Sequence, residues 1–277
     1  MGAGLSRIVA GIDRLALFSA LFVALTVHAL SARFLLALRV QPLSALGSLL
    51  GISVIVWLAL AAVAGIAAAN RAGTKWRRGD ALCAAPLALA ALLPFTLAAA
   101  LGLAVGAGYF AWRSQAGTPE RRVALIALAL TIPTLWGVVV LAVLVREIAT
   151  VESFLIGHVA QLPVQGNVIV ASDGRTTFIV GGACSALANL SLVAVCVVTA
   201  SQWFQLRNWR VMALAGGAIA VLVLAINLVR LSLLGHHPQQ LVFWHDGFGA
   251  VLFGNLTLAV MLVITAWGVQ VAARRAS

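Results

Sequence analysis

The sequence predicts an all-α integral membrane protein of about eight transmembrane helices with a small extracytoplasmic cap. The first observation is composition: of 277 residues, 63% are hydrophobic and 9% are charged, whereas soluble domains average about 45–50% apolar and about 25% charged residues. The second is that the apolar residues form charge-free runs, most of them as long as the ~20 residues that a bilayer core requires. Soluble enzymes, nucleic-acid-binding proteins and disordered chains are therefore excluded.

The charge-free runs define the predicted spans. They cover 15–32, 40–70, 81–112, 123–145, 184–206, 211–229 and 247–273. The first run follows Arg7 and Arg14 and resembles a signal peptide in this respect, but it is long for that purpose and another run follows at once. We therefore expect it to be a transmembrane span.

The net charge of +11 sets the expected orientation, because Lys and Arg accumulate in cytoplasmic loops. Basic residues predict a cytoplasmic N-terminus, C-terminus and three cytoplasmic loops: Arg7, Arg14, Arg71, Lys75, Arg77, Arg78, Arg113, Arg121, Arg122, Arg207, Arg210, Arg274 and Arg275. A single span through 81–112 would place two basic loops on opposite sides. We therefore interpret this run as a tight helical hairpin of two short spans with Pro94 near its turn. The alternative is one long tilted helix that breaks the charge rule locally.

Eight spans follow from this interpretation, with both termini in the cytoplasm and Arg33 and Arg39 as minority charges outside. The chain then has three parts: N-terminal spans over 1–145, an extracytoplasmic segment over 146–183, and C-terminal spans over 184–277.

The first half of the extracytoplasmic segment, 146–162, has the spacing of an amphipathic helix. Apolar residues recur on one side and two glutamates lie on the other: Ile148, Val151, Leu155 and Val159 against Glu147 and Glu152. This pattern predicts a helix that lies on the membrane surface.

The second half of the segment changes period after Pro163. Residues 168–170 and 176–180 are short β-favouring runs on either side of a turn that contains Asp173 and Gly174. This arrangement predicts a β-hairpin. The cap is therefore a helix followed by a hairpin.

Cys184 begins the span that follows the hairpin, and we expect it at the start of a helix entering the membrane from outside. A helix N-terminus favours an anion, and the thiolate is the reactive form of cysteine. The alternative is a buried apolar cysteine, which is our interpretation of Cys83 and Cys196. The spacing of the three cysteines predicts neither a disulfide framework nor a zinc site.

Two further residues near the outer ends of spans carry charge or titrate. Arg230 follows the run 211–229, where an arginine at membrane depth suggests a functional site and snorkelling to the headgroups is the alternative. His245 opens the last span after Phe243 and Trp244, which fit an interfacial aromatic belt; a surface histidine is the alternative. The alternation of spans places Cys184, Arg230 and His245 at one depth. Thiol, imidazole and guanidinium are the nucleophile, proton shuttle and oxyanion stabiliser of cysteine acyl transfer.

These motifs resemble the exosortase/archaeosortase family of membrane cysteine transpeptidases. The resemblance covers roughly 146–277 and rests on the order of a Gly-Gly-Ala-Cys184-Ser motif, Asn227 three residues before Arg230, and His245 followed by Gly249 and Phe253. It departs from the family at Ala186, where members commonly have glycine, so the subfamily and substrate motif stay open.

The resemblance implies an eight-span enzyme of the prokaryotic cell membrane whose Cys184, Arg230 and His245 face outside as a catalytic triad. It implies a thiol protease or transpeptidase that recognises the C-terminal sorting signal of exported proteins, consisting of a short motif such as Pro-Glu-Pro, a transmembrane helix and a basic cluster. The enzyme would cleave near the motif and pass the acyl group to an unidentified surface acceptor.

Three alternatives are weighed against this enzyme. A non-enzymatic transporter or assembly factor would use Arg230 and His245 to bind an anionic group, but the middles of the spans carry few polar residues. A metal site at His236, His237, His245 and Asp246 lacks any zinc-protease pattern. A phosphate-binding or dinucleotide-binding loop is not evident. We expect no cofactor, no metal and no nucleic-acid partner; the expected partners are membrane lipids and the sorting-signal helix.

Overall fold

The computed structural model describes residues 13–40, 49–70, 76–77, 79–182 and 184–274. Five basic residues that predict the orientation lie outside the described residues: Arg7, Arg71, Lys75, Arg78 and Arg275. The chain divides into two compact units, Met1–Trp136 with Val198–Leu206 and Gly137–Val197 with Arg207–Ser277. Each unit is described by itself.

The described part of the first unit is built from helices. They are α1 (Arg14–Ala29), α2 (Ser31–Val40), α3 (Val54–Ala69), α4 (Asp80–Leu92), α5 (Thr96–Trp112) and α6 (Pro119–Thr131). The Asp13 carboxylate begins α1 by accepting hydrogen bonds from the amides of Leu15 and Ala16, and the Thr118 hydroxyl begins α6 by accepting from the amide of Arg121. After α6 the helix widens into a π-turn, Ile132–Trp136, because Pro133 has no N–H to donate.

The helical hairpin predicted for the third apolar run is confirmed as α4 and α5, which are separated by a break at residues 93–95. The helices run antiparallel: Leu87 in α4 packs against Gly106 in α5, and Tyr109 donates a 2.9 Å hydrogen bond to Asp80. The start of α4 and the end of α5 therefore lie at the same end of the hairpin, as the charge pattern requires.

Asp80 also forms a buried ion pair with Arg14 at the start of α1. The distance from Arg14 Nε to Asp80 Oδ2 is 2.7 Å, and the two residues are 1% and 0% exposed. The guanidinium carbon of Arg14 lies 4.4 Å from the centroid of the Phe110 ring, a cation–π distance. Arg14, which we expected to act as an orienting charge at the cytoplasmic surface, is thus buried in the core of the first unit.

The second unit contains helices and strands. They are α7 (Gly137–Ala160), β1 (Val164–Gln165), β2 (Val168–Val170), β3 (Thr177–Ile179), α8 (Leu187–Trp203, which ends in the first unit), α9 (Trp209–His236), α10 (Leu241–His245) and α11 (Phe248–Arg274). Helix α9 packs against both α7 and α11. It therefore lies at the centre of the second unit.

Three helical stretches among the described residues are long and apolar enough to cross a membrane: Pro119–Ala160, Trp209–His236 and Phe248–Arg274. The pair α1 and α2, bent by 48°, would add a fourth. Helices α3, α4, α5 and α8 are apolar but shorter. The chain is thus a mainly helical protein whose long apolar helices indicate a membrane protein, and the eight spans stay a prediction.

The predicted β-hairpin is confirmed and carries one strand more. In the described residues the strands form an antiparallel sheet in the order β1-β2-β3, and Ile169 pairs with Phe178 across β2 and β3. Strand β1 joins β2 through a two-residue turn in which Gly166 has a φ of +61°, a value that favours glycine. A two-residue strand is too short for its periodicity to be recognised in the sequence.

The turn between β2 and β3 is closed by Asp173. Its carboxylate accepts hydrogen bonds from the Thr176 hydroxyl at 2.6 Å and from the backbone amides of Thr176 and Arg175 at 2.8 and 2.9 Å. These hydrogen bonds, that of the Thr176 side chain first, lower the pKa of Asp173. The Asp-Gly signal in the sequence therefore marks the turn for a physical reason.

The prediction that 146–162 form a helix of their own is wrong, because α7 runs without a break from Gly137 to Ala160. The apolar side of this half of α7 is exposed, with Val151 and Val159 60% and 58% exposed. The side that packs inside the protein carries small or polar residues together with one large apolar residue: Ala149, Ser153, Ile156, Gly157 and Ala160. In a membrane this distribution is expected, since apolar side chains lose nothing by facing lipid and small residues let neighbouring elements approach closely.

Candidate active site

Cys184 lies in a tight turn just before α8, which begins at Leu187. The backbone amides of Cys184 and Ser185 both donate to the carbonyl of Gly181, at 2.9 and 3.1 Å. The Cys184 side chain is half-buried and packs against the core of the second unit formed by α7, the sheet and α9. The prediction that Cys184 lies near a helix start is confirmed.

His245 lies against Cys184, 61 residues away in the chain, and the distance from Cys184 Sγ to His245 Nε2 is 3.6 Å. The other ring nitrogen, Nδ1, lies 2.8 Å from Asp246 Oδ1. With its proton on Nδ1, the neutral imidazole donates to Asp246 and Nε2 accepts from the thiol. The three side chains form a chain of contacts from sulfur to imidazole to carboxylate.

Arg230 lies in α9, which continues for six residues beyond it to His236. Its Nε and one terminal nitrogen donate to the backbone carbonyls of Trp244 and His245, at 3.3 and 3.1 Å. These carbonyls belong to the last residues of α10, where no intrahelical donor follows. Arg230 therefore fixes the backbone that carries His245.

Asn227 precedes Arg230 by three residues and thus lies on the same face of α9. Its side-chain amide donates a 3.0 Å hydrogen bond to the backbone carbonyl of Cys184. One face of α9 therefore contacts both the cysteine turn and the segment of the histidine. The structure brings together all three residues that the sequence singled out.

Two acidic residues at the site were missed as members of it. The sequence singled out Asp246 only as a candidate metal ligand, and Glu152 only as a residue opposite the apolar side of the predicted surface helix. Glu152 accepts hydrogen bonds from the Ser185 hydroxyl and the Ala186 amide, both at 2.9 Å. The small residues on its side of α7 were the signal that this side faces protein.

No group of three or more histidine, cysteine, aspartate or glutamate side chains in the described ranges is arranged to hold a metal ion. His236, one of the weighed ligands, ends α9, and its carbonyl accepts from the Ser172 hydroxyl at 3.0 Å. This contact ties the sheet to the end of α9.

Cys184 should be the thiol that reacts with an impermeant reagent applied from outside. Cys196 is 8% exposed and its sulfur lies 3.4 Å from the Thr265 hydroxyl. Cys83 lies in the first turn of α4, at the end of the hairpin that the charge pattern predicts to be cytoplasmic. We expect a membrane-impermeant maleimide added to intact cells or spheroplasts to modify Cys184 and spare both others, as measured by peptide mass spectrometry. Labelling of the chain that is undiminished in Cys184→Ala would contradict this assignment.

Comparison of the chain with family models, curated proteins and solved structures gives no match.

Proposed function

We propose that the protein is a membrane-embedded cysteine peptidase or transpeptidase of the exosortase type. It cleaves a C-terminal sorting signal of exported proteins, made of a short motif, a transmembrane helix and a basic cluster, and transfers the acyl group to a surface acceptor. The observation that carries the proposal is the 3.6 Å contact between Cys184 Sγ and His245 Nε2, because a thiol within reach of an imidazole is the arrangement that nucleophilic cysteine chemistry requires.

The proposed reaction begins with the transfer of the Cys184 thiol proton to His245 Nε2. The thiolate attacks the carbonyl carbon of the scissile peptide bond, and the resulting tetrahedral intermediate collapses with cleavage of the C–N bond. His245 returns its proton to the leaving amine, and a thioester on Cys184 remains. The acceptor nucleophile or water then attacks the thioester, gives its proton to His245 and releases the Cys184 thiolate.

Asp246 and Arg230 support this cycle in two ways. Asp246 lies 2.8 Å from His245 Nδ1 and orients the imidazole while it carries the extra proton. Arg230 presents several N–H donors in a planar fork. Two of them hold the carbonyls of Trp244 and His245, and the remaining donors are assigned to the oxyanion of the tetrahedral intermediate.

The apolar exterior of the second unit suits a substrate that is itself anchored by an apolar helix. Helices α9 and α11 are 28 and 27 residues long and expose large apolar side chains along their length. A sorting-signal helix in the same bilayer would approach these helices sideways, and its polar motif would lie at the depth of Cys184. The site is assigned to the outer face of the cell membrane.

The alternative of an anion-binding transporter is not favoured by the contacts of His245. Its two ring nitrogens lie against Cys184 Sγ and Asp246 Oδ1, an arrangement that proton transfer from the thiol uses and that binding of an anion does not require.

The test is co-expression of the protein with a secreted reporter that ends in a Pro-Glu-Pro motif, an apolar helix and an arginine cluster, tagged at both ends. We expect loss of the C-terminal tag, and a reporter–enzyme adduct that hydroxylamine cleaves, since hydroxylamine attacks thioesters. The mass of the new C-terminus distinguishes transfer from hydrolysis. Cys196→Ala, which removes a cysteine outside the site, is the matched control and should process normally. Equal cleavage in cells without the protein would refute the proposal.

A further inference from the structure

We infer that Glu152 is a positioning residue that holds the Cys184 turn within reach of His245, an inference that rests on the proposed function. Glu152 lies in α7, 32 residues before the cysteine in the sequence, and the half of α7 that carries it exposes valines on its opposite side. Its carboxylate contacts the two residues that follow Cys184.

One carboxylate oxygen of Glu152 binds two consecutive residues of the turn. Oε1 accepts from the Ser185 hydroxyl and from the Ala186 backbone amide, both at 2.9 Å. The Ser185 hydroxyl in turn accepts from the amide of Leu187, the first residue of α8, at 3.1 Å. Glu152, a residue of α7, thus helps to cap the N-terminus of α8.

A second helix holds the same turn from its other end. The Asn227 side-chain amide in α9 donates a 3.0 Å hydrogen bond to the Cys184 carbonyl, so the backbone that follows the Cys184 side chain is held by α9 at this carbonyl and by α7 at the amide of Ala186. A sulfur that must stay near His245 Nε2 needs a fixed backbone, because a shift of about 1 Å in a positioned group can cost up to about 10²-fold in rate. The two anchors provide that constraint.

A purely structural cap does not account for Glu152. The Ser185 hydroxyl alone already accepts the amide of Leu187, and a serine is an effective cap without a carboxylate. The other oxygen of Glu152, Oε2, is buried and has no hydrogen-bond partner among the residues that the structure describes. A buried carboxylate with one oxygen unsatisfied is costly. This cost is explained if the carboxylate sets the position of the nucleophile.

The position of Glu152 also bears on which group takes the proton of the Cys184 thiol. The amides at the start of α8 donate to Glu152 and Ser185, so the positive end of this helix faces the Glu152 carboxylate. Removal of the thiol proton therefore depends on His245. Disturbing Glu152 should affect Cys184 through its distance from His245.

The test measures how fast iodoacetamide alkylates Cys184 in the purified full-length protein at pH 7, by mass spectrometry of the Cys184 peptide. We expect Glu152→Ala to slow alkylation about tenfold, because the turn loses both hydrogen bonds. Glu152→Gln should stay within about twofold of the wild type, since the amide oxygen accepts the same two bonds. Glu147→Ala, an exposed glutamate on the same helix, is the matched control and should have no effect.

Ser185→Ala keeps Glu152 and removes one of its two hydrogen bonds, so this variant should slow alkylation by an intermediate amount. If size-exclusion chromatography shows that Glu152→Ala is misfolded, the Ser185→Ala rate is used as the test instead. The inference is overturned if Cys184 is alkylated at the wild-type rate or faster in Glu152→Ala, or in Ser185→Ala when that variant takes its place. It is also overturned if Glu152→Gln slows the alkylation of Cys184 as much as Glu152→Ala does. His245→Ala tests the proposed function separately: a wild-type alkylation rate in that variant refutes the role of His245, whatever the Glu152 variants do.

Discussion

Replacing Cys184 with alanine is expected to abolish cleavage of the tagged reporter, and His245→Ala is expected to lower its rate by about 10²–10⁴, the usual contribution of a positioned acid–base group. The first change removes the nucleophile. The second leaves the thiol in place but removes the group 3.6 Å away that takes its proton. The measurement is the initial rate at which the C-terminal tag is lost.

The double variant sharpens this prediction. Residues that act as a unit have non-additive effects, so Cys184→Ala combined with His245→Ala should show the same background loss of the tag as Cys184→Ala alone. His236→Ala is the matched control, because this histidine contacts the sheet through its backbone carbonyl, which alanine retains. Processing by His245→Ala at the wild-type rate, or an equal loss in His236→Ala, would contradict the assignment.

Features of the chain that depend on charge placement could be predicted from the sequence. The hairpin of α4 and α5 follows from basic clusters that require one side and from Pro94, which cannot continue a helix hydrogen-bond ladder. The alternation of the predicted spans places Cys184 and His245 at one depth, and the structure brings their side chains into contact. Neither inference needs knowledge of side-chain contacts.

The environment of α7 could be predicted from the sequence only in part. Its period separates an apolar side with Val151 and Val159 from a side with Glu152, and the apolar side is exposed, as expected next to a bilayer. The polar side of an amphipathic helix ordinarily faces water. Glu152 instead contacts Ser185 and Ala186, and nothing in the period indicates this contact.

Contacts to backbone atoms also have no signature in the sequence. Arg230 was singled out because a charge at membrane depth is costly, yet its partners are the carbonyls of Trp244 and His245, which any residue types would supply. The pair of Arg14 and Asp80 shows the same limit for side chains, since 66 residues separate them and no local pattern links them.

Arg230→Lys is expected to lower reporter cleavage by about 10²–10³, the usual cost of losing an oxyanion donor, although the positive charge is retained. A lysine offers three donors on one nitrogen and cannot reach the two carbonyls and an oxyanion in the planar geometry of a guanidinium. Arg230→Ala should be at least as damaging. The measurement is the same tag-loss rate, and Arg175→Lys, at an exposed residue of the β2–β3 turn, is the matched control.

The rate of Cys184 alkylation, measured in the same Arg230 variants, separates the two contacts that this residue makes. Alkylation forms no tetrahedral oxyanion, so it should fall less than cleavage if Arg230 stabilises that intermediate. Equal losses in both rates would assign Arg230 to the placement of His245 alone, through the carbonyls of Trp244 and His245. Wild-type cleavage in Arg230→Lys would instead make this arginine a snorkelling anchor, because lysine reaches the headgroups equally well, and would remove it from the catalytic site.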